Sequence, residues 1–184
     1  VLAVRNLTKQ FSSKKGPVVK ALRDVSLEAR CAQVTGLVGA DGAGKTTLIR
    51  TAAGLIVPTS GIVTVLGLDS MVDTIEIQSR VGYMPQKFGL YQDLTVTENM
   101  NLYADLQGVP SSVRKDRYHR LLQMTGLEPY TRRKAGALSG GMKQKLGLAC
   151  SLIKSPEMLL LDEPTVGVDP ISRRELWKIV YELV

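Results

Sequence analysis

The residues best suited to chemistry in this chain form a glycine-rich run that ends in lysine and threonine. Residues 39–46 read Gly-Ala-Asp-Gly-Ala-Gly-Lys-Thr, which fits the phosphate-binding pattern G-x-x-x-x-G-K-[ST]. Glycines let the backbone approach phosphate closely and present N–H donors to it, and a helix that follows aims its positive end there. Lys45 would reach the outer phosphates, and the Thr46 hydroxyl would ligate Mg²⁺. An ordinary glycine turn before a helix is the alternative, and the strand expected before the run disfavours it. Asp41 should face outward, because a carboxylate in the loop would repel phosphate.

Two adjacent carboxylates follow a short apolar run late in the chain. Met158 to Leu161 precede Asp162 and Glu163, and four apolar residues in a row are typical of a parallel strand buried on both faces. A carboxylate at the end of such a strand is well placed to hold Mg²⁺, usually through water. The alternative is a pair of surface acids. The glycine-rich run upstream and the turn enforced by Pro164 favour the metal site.

A third run, Leu138-Ser-Gly-Gly-Met142, stands at the expected start of a helix. Ser139, Gly140 and Gly141 would form an ordinary helix N-cap, since serine is a favoured capping residue. The same hydroxyl, backbone amides and helix end also make an anion site. Read alone, the run leaves both interpretations open.

The elements around these runs indicate an α/β fold. Strands are predicted at 1–7, 18–27, 33–38, 61–67, 81–84 and 158–161, with a turn at 12–17. Helices are predicted at 44–53, 72–80, 97–106, 113–124, 141–153 and from residue 172 onward. Either Thr95 or Thr97 should cap the helix that contains Glu98 in its first turn. Between about Lys87 and Lys154 the pattern is helical.

Composition excludes several classes of protein. The 184 residues are 44% hydrophobic and 22% charged, which is typical of a soluble globular domain. No run approaches the roughly 18 apolar residues of a membrane helix. The net charge of +7 comes from scattered basic residues with few aromatic neighbours, so nucleic acid is not expected as a partner. Cys31 and Cys150 are too few for a disulfide framework, and Cys150 should be a buried, reduced thiol.

Together and in this order, the glycine-rich run, LSGG and MLLLDE resemble the ATPase domains of ABC transporters. The resemblance covers nearly the whole chain. It implies a P-loop NTPase core with a mostly parallel sheet, N-terminal antiparallel strands and an inserted helical subdomain. The core would comprise residues 1–86 and 155–184, and the helical subdomain residues 87–154. By the family's pattern the chain is expected to be C-terminally truncated, a fragment of a single domain.

The resemblance also implies a role for each motif. Glu163 would be the general base, assisted by Lys45 and by Gln86 at the attacking water, with Thr46, Gln86 and Asp162 on Mg²⁺. Ser139, Gly140 and Gly141 would bind the ATP of a partner domain, and Asp169 would lie in a loop that crosses to that partner. Without the family context, Gln86 is a surface glutamine, Phe11 a core residue and Asp169 a helix cap. The residues expected to hold ATP are Phe11, Gly39, Ala40, Asp41, Gly42, Ala43, Gly44, Lys45, Thr46 and Thr47.

The family's biology gives the expected partners. ATP would join two such domains head to tail, and hydrolysis would drive separate integral-membrane permease subunits from the cytoplasmic face of the bacterial inner membrane. Residues 82–91, 94–99 and 138–150 resemble the drug-exporter branch of ABC-2 systems. They are similar to the first ATPase half of bacterial exporter proteins that fuse two such domains. The second ATPase domain would be a copy of this one or a different one.

One departure keeps alternatives open. The family's switch histidine follows a strand beyond the last helix, whereas the only histidine here, His119, lies in the helical region and reads as a partly exposed helical residue. The full domain either carries that histidine further on or has lost it. In the second case the chain would be a weakly active or regulatory ATP site, or a non-catalytic, ATP-gated dimerisation module. A soluble ABC ATPase acting on ribosomes or DNA is a further alternative, although the linker or coiled-coil segments usual in such proteins are not visible.

Overall fold

The computed structural model describes residues 1–12, 17–87 and 89–184, which form two compact units, residues 1–81 and 82–184. Most of the turn predicted at 12–17 therefore lies outside the described residues, as does Phe88. In chain order the elements are β1 (Leu2–Phe11), β2 (Val19–Ala29), α1 (Lys45–Ala52), β3 (Ser60–Val65), β4 (Leu68–Asp69), α2 (Thr74–Arg80), β5 (Val81–Met84), α3 (Val96–Leu106), α4 (Ser111–Thr125), α5 (Gly140–Leu152), β6 (Met158–Leu161) and α6 (Pro170–Tyr181).

An antiparallel sheet of order β2-β1-β3-β4 builds the first unit. Leu2 and Val4 alternate with less buried neighbours along β1 and pair with Val65 and Val63 of β3. Because alternate residues of a strand point to opposite faces, this pairing collects the apolar side chains on one face. The N-terminal antiparallel strands predicted from the sequence are confirmed.

The prediction of a strand at residues 33–38 is wrong. No residue between 30 and 44 belongs to a strand, and Val38 is 96% exposed. A strand exists only where a second backbone completes its hydrogen-bond ladder. The apolar residues in this stretch suggested a strand, but the described residues provide no such ladder for it.

Helices α3, α4 and α5 dominate the second unit, as the sequence pattern predicted. Thr95, rather than Thr97, begins α3: its hydroxyl accepts the backbone N–H of Glu98, and the Glu98 carboxylate accepts the backbone N–H of Thr95 at 2.7 Å. This reciprocal capping box satisfies donors that the first turn of a helix leaves without partners. Cys150 is fully buried in α5, as expected.

Strands β5 and β6 form a two-stranded sheet in the second unit. The backbone N–H of Asp162 donates to the carbonyl oxygen of Met84 at 2.9 Å, so the last residue of β5 lies beside the residue that follows β6. Gly82 permits the close packing on β5, since a Cβ there would stand 2.8 Å from the Ser151 carbonyl oxygen. Among the helices described here, none combines the length and apolarity that a bilayer crossing requires.

Candidate functional site

The phosphate-binding loop lies in the first unit, and its shape depends on close contact with β2. Gly44 has a φ of 93°, and a Cβ there would overlap the carbonyl oxygen of Ala21 and lie 2.8 Å from the Leu22 side chain. Gly42 also has a positive φ of 76°. Only glycine adopts such backbone conformations at little cost. The loop is therefore held against the sheet by contacts that a side chain at Gly44 would prevent.

Helix α1 starts directly behind this loop. No side chain caps its first turn, and that turn contains no acidic residue, so the positive end of the helix is not neutralised locally. The Lys45 ammonium donates to the carbonyl oxygens of Gly39 and Ala40 at 2.8 and 2.9 Å, which holds it over the loop. Asp41 is exposed, as expected. Thr46 and Thr47 occupy the next two positions of the helix.

Phe11 ends β1 with 43% of its surface exposed. The Lys9 ammonium lies 5.0 Å from the centroid of its ring. Exposure argues against the alternative that Phe11 is a core residue. An aromatic face that is open to solvent remains suited to stacking on a base.

Gln86 and Glu163 meet in the second unit, although 77 positions separate them. The Gln86 Nε2 donates to the Glu163 Oε2 at 2.8 Å. Both residues stand just past the ends of β5 and β6, and Asp162, which is 0% exposed, lies next to Glu163. The strand pairing thus gathers an amide and two carboxylates at one edge of this sheet.

Glu163 adopts a left-handed backbone conformation with a φ of 50°. For a residue with a side chain this conformation costs of the order of 1 kcal/mol or more, and such positions cluster at functional sites. Pro164 follows, and the Glu163 carbonyl oxygen accepts the N–H of Val166 at 3.2 Å. The turn leaves the Glu163 side chain partly accessible while Asp162 stays buried.

Ser139 caps α5, with its Oγ accepting the N–H of Met142 at 3.2 Å. Behind it, α5 packs tightly against the start of α6: a Cβ at Gly141 would lie 2.5 Å from the Ser172 Oγ. A Cβ at Gly140 would meet only the Gly167 carbonyl oxygen at 3.4 Å. The two helix starts are therefore packed against each other, and Gly141 is the position that allows it.

Asp169 caps α6, because its Oδ1 accepts the N–H groups of Ile171 and Ser172 at 3.1 and 3.0 Å. The hydrogen bond from the Ser172 backbone, above all, lowers the pKa of the Asp169 carboxyl below its usual range. The capping alternative is thus confirmed as the local contact that Asp169 makes. His119 lies on α4 with an exposed side chain, 3.7 Å from the Glu128 carboxylate, as a helical surface histidine should.

Two features of this region were not predicted. Lys145 of α5 forms an ion pair with Glu175 of α6, and only 15% of the lysine side chain is exposed. A cleft of about 370 Å³ lies nearby, lined by residues that include Gln86, Lys143, Gln144 and Gly167. Lys145 follows Gly141 by four residues, and this spacing indicated that the two lie on the same face of a helix. No pattern in the neighbouring sequence identified Glu175 as the partner of Lys145.

Comparison with known proteins places these residues in a family context. The sequence profile described as ABC transporter matches residues 22–166. The chain is 57% identical over 183 residues to the "Probable multidrug ABC transporter ATP-binding protein YbhF" of Escherichia coli (strain K12), which covers all of this chain and 31% of that protein. It is 36% identical over 184 residues to the ABC transporter ATP-binding protein NatA of Bacillus subtilis (strain 168), covering all of this chain and 74% of NatA. The bacitracin transport ATP-binding protein BcrA of Bacillus licheniformis is 35% identical over 183 residues, covering all of this chain and 57% of BcrA.

One solved structure resembles this chain over the whole length of this chain. The ATP-binding cassette MJ0796, in a dimeric post-hydrolysis state bound to ADP and Pi, superimposes with a TM-score of 0.86 at 26% identity. The match covers 100% of this chain and 82% of that one. The predicted α/β fold class is therefore confirmed.

Proposed function

Since this chain belongs to the ABC transporter family, we propose that it binds and hydrolyses ATP to drive transport through separate membrane subunits. The observation that carries the proposal is the Gln86–Glu163 hydrogen bond beside buried Asp162. An amide and two carboxylates at the ends of paired strands supply a water-orienting group, a base and a metal ligand. The chain spans 31% of the length of YbhF.

The phosphates of ATP would bind the loop from Gly39 to Thr47, where the glycine backbone and the start of α1 favour negative charge. The Lys45 ammonium would exchange its contacts with the loop carbonyl oxygens for the outer phosphates. Phe11 would stack on the adenine, for which its exposed ring is suited. Asp41 is exposed, and its carboxylate would point away from the bound phosphates.

The donor set suits Mg²⁺. Thr46, Gln86 and Asp162 offer a hydroxyl, an amide and a carboxylate, all hard oxygen ligands, and Mg²⁺ in nucleotide enzymes usually takes one or two carboxylates together with phosphates and water. Bound there, the ion would neutralise charge on the phosphates. No group of three or more His, Cys, Asp or Glu side chains in the described part of the chain forms a metal cluster of its own.

Glu163 would act as the general base of hydrolysis. Its carboxylate would accept the proton of the water that attacks the γ-phosphate, and Gln86, already in hydrogen-bond contact with it, would orient that water. General bases typically contribute about 10²–10⁴ in rate. The left-handed turn at Glu163 helps to keep the carboxylate accessible next to buried Asp162.

The N-terminus of α5 would close over the ATP of a second domain. Ser139, Gly140 and Gly141 present a hydroxyl and helix amides, which favour an anion. Gly141 of α5 packs on Ser172, which lies three residues after Asp169. The second domain is a copy of this chain or a different ABC ATPase, fused in the same parent protein or separate.

The names of two relatives refer to the transport of drugs and of bacitracin. YbhF carries the name of a probable multidrug ABC transporter protein and BcrA that of a bacitracin transport protein. We therefore propose a drug-exporter role, with the chain peripheral on the cytoplasmic face of the bacterial inner membrane. Within this proposal, residues 1–86 and 155–184 form the ATPase core and residues 87–154 the helical subdomain.

Nucleotide binding by the Lys45→Ala variant tests the first step. We expect loss of measurable MgATP binding by calorimetry, because the ammonium that reaches the phosphates is gone. Lys20→Ala, an exposed lysine of β2, is the matched control and should bind as wild type. Equal affinity in Lys45→Ala and Lys20→Ala would contradict the phosphate site.

A further inference from the structure

Positive charge is concentrated in one stretch of the sequence. Residues 87–154 contain eleven Lys and Arg against five Asp and Glu, whereas the rest of the chain contains thirteen against twelve. Nearly all of the net charge of +7 therefore belongs to the helical region. The chain's own phosphate-binding loop lies outside the stretch, and of the eleven cations only Lys143 and Lys145 closely follow the Ser139–Gly141 segment that would bind a partner's ATP.

Some of these cations serve the fold. Arg114 pairs with Asp105 at 2.7 Å, Arg117 donates to the Ile153 carbonyl oxygen at 2.9 Å, and Lys145 pairs with Glu175. Their charges are balanced locally or support packing. They are not the cations that a partner would meet.

Three consecutive cations remain exposed: Arg132, Arg133 and Lys134, named here the basic turn. Among the residues that the structure describes, no carboxylate lies within 4.0 Å of their charged groups. Helix α4 contacts the short turn that contains Glu128 and adds two more exposed cations, Lys115 and Arg120.

The backbone presents the basic turn in a fixed conformation. The carbonyl oxygen of Arg133 accepts the N–H of Val96 at 3.0 Å, and the N–H of Ala135 donates to Leu94 at 2.8 Å. The Arg133 guanidinium stacks 4.8 Å from the centroid of the Tyr130 ring. Main-chain hydrogen bonds thus fix the backbone of the basic turn, and they do not involve its side chains.

We propose that the basic turn, together with Lys115 and Arg120 of α4, binds the surface of a bilayer that contains anionic lipids. Clusters of four to eight Lys and Arg residues are attracted to such surfaces, and each contributes to the affinity. A surface of lipid phosphates attracts closely spaced cations without aromatic side chains. Proteins that bind single-stranded nucleic acid also use aromatic side chains on which the bases stack. Binding of the basic turn to lipid would not require ATP hydrolysis.

Vesicle co-sedimentation of the purified protein tests this surface. Vesicles of phosphatidylcholine alone are compared with vesicles that also contain phosphatidylglycerol. The test variant carries Arg132→Gln, Arg133→Gln and Lys134→Gln. The control carries Lys20→Gln, Arg23→Gln and Arg30→Gln, which removes the same charge from exposed positions of the first unit.

We expect binding only to the phosphatidylglycerol vesicles, reduced about tenfold or more in the test variant and less than about twofold in the control. Raising the salt from about 0.1 M to about 1 M should abolish binding, because the Debye length falls from about 10 Å to about 3 Å. Matching melting curves would show that the test variant is folded. Equal losses in both variants, equal binding to both lipids, or no binding at all would overturn the proposal. If the test variant binds vesicles normally but loses a membrane subunit in a pull-down, the basic turn binds protein instead.

Discussion

Replacing Gly141 with alanine should destabilise the protein through one contact. The added Cβ would lie 2.5 Å from the Ser172 Oγ and closer still to the Ser172 Cβ, far inside the usual carbon–carbon separation of about 3.5–4.0 Å. The Ser172 backbone is held by the Asp169 cap, so it cannot easily withdraw. Overpacking of this kind costs about 1–3 kcal/mol.

A helical glycine replaced by alanine also gains about 1 kcal/mol of helix propensity. The expected net loss is therefore up to about 2 kcal/mol, which lowers the Tm by up to about 8 °C for a domain of this size. Urea unfolding followed by the fluorescence of Trp177, the only tryptophan, measures the loss. Gly140→Ala is the matched control, because its Cβ meets only a carbonyl oxygen at 3.4 Å, and it should be no less stable than wild type.

Two double variants test whether the contact with Ser172 causes the loss of stability in Gly141→Ala. Gly141→Ala combined with Ser172→Gly should show a favourable coupling of about 1 kcal/mol or more, since both clashing atoms of Ser172 are gone. Ser172→Ala retains the Cβ and should rescue much less. Equal stability of the Gly141→Ala and Gly140→Ala variants, or equal rescue by both Ser172 substitutions, would refute the reasoning.

Two further predictions concern acid stability and thiol reactivity. The pKa of Glu98 is lowered, mainly by the backbone N–H and then by the hydroxyl of its capping partner, so its stabilisation is complete above the unfolded pKa of about 4.3 and is lost as the pH falls through the lower folded value. Glu98→Gln should therefore lower the Tm at pH 7 and converge with wild type toward pH 3; a constant difference would contradict this. Burial raises the pKa of the Cys150 thiol whereas Cys31 is exposed, so a thiol reagent at pH 8 should modify one cysteine in the folded protein and two in denaturant. Rapid modification of both in the folded protein would show that α5 is not packed as described.

Local chemistry made most elements predictable from sequence. The Thr-x-x-Glu spacing predicted the start of α3 to within two residues, because a capping box involves residues only three apart. The glycine after α4 likewise predicted its end, since Gly126 adopts the left-handed conformation of a helix C-terminus. Residues 33–38 were misjudged because a strand also needs a ladder partner, which no local pattern reveals.

In the candidate site, too, the residues could be predicted from the sequence but the contacts between them could not. The phosphate-binding pattern identified Lys45, and the resemblance to the ABC family identified Gln86 and Glu163 as candidates. The family match supports the nucleotide-binding interpretation. The hydrogen bond between Gln86 and Glu163 was not predictable, because it depends on the pairing of β5 with β6. The ion pair between Lys145 and Glu175 was missed for the same reason, since it depends on how two helices pack.

Turnover and binding of MgATP by the Glu163→Gln variant test the central claim most directly. Glutamine retains an oxygen that can accept the hydrogen bond from Gln86, but it cannot accept the proton of the attacking water. We expect ATP affinity close to that of wild type and turnover lower by about 10²–10⁴. Glu182→Gln, an exposed residue after α6, serves as the matched control and should retain both. Turnover comparable to wild type in Glu163→Gln would contradict the account.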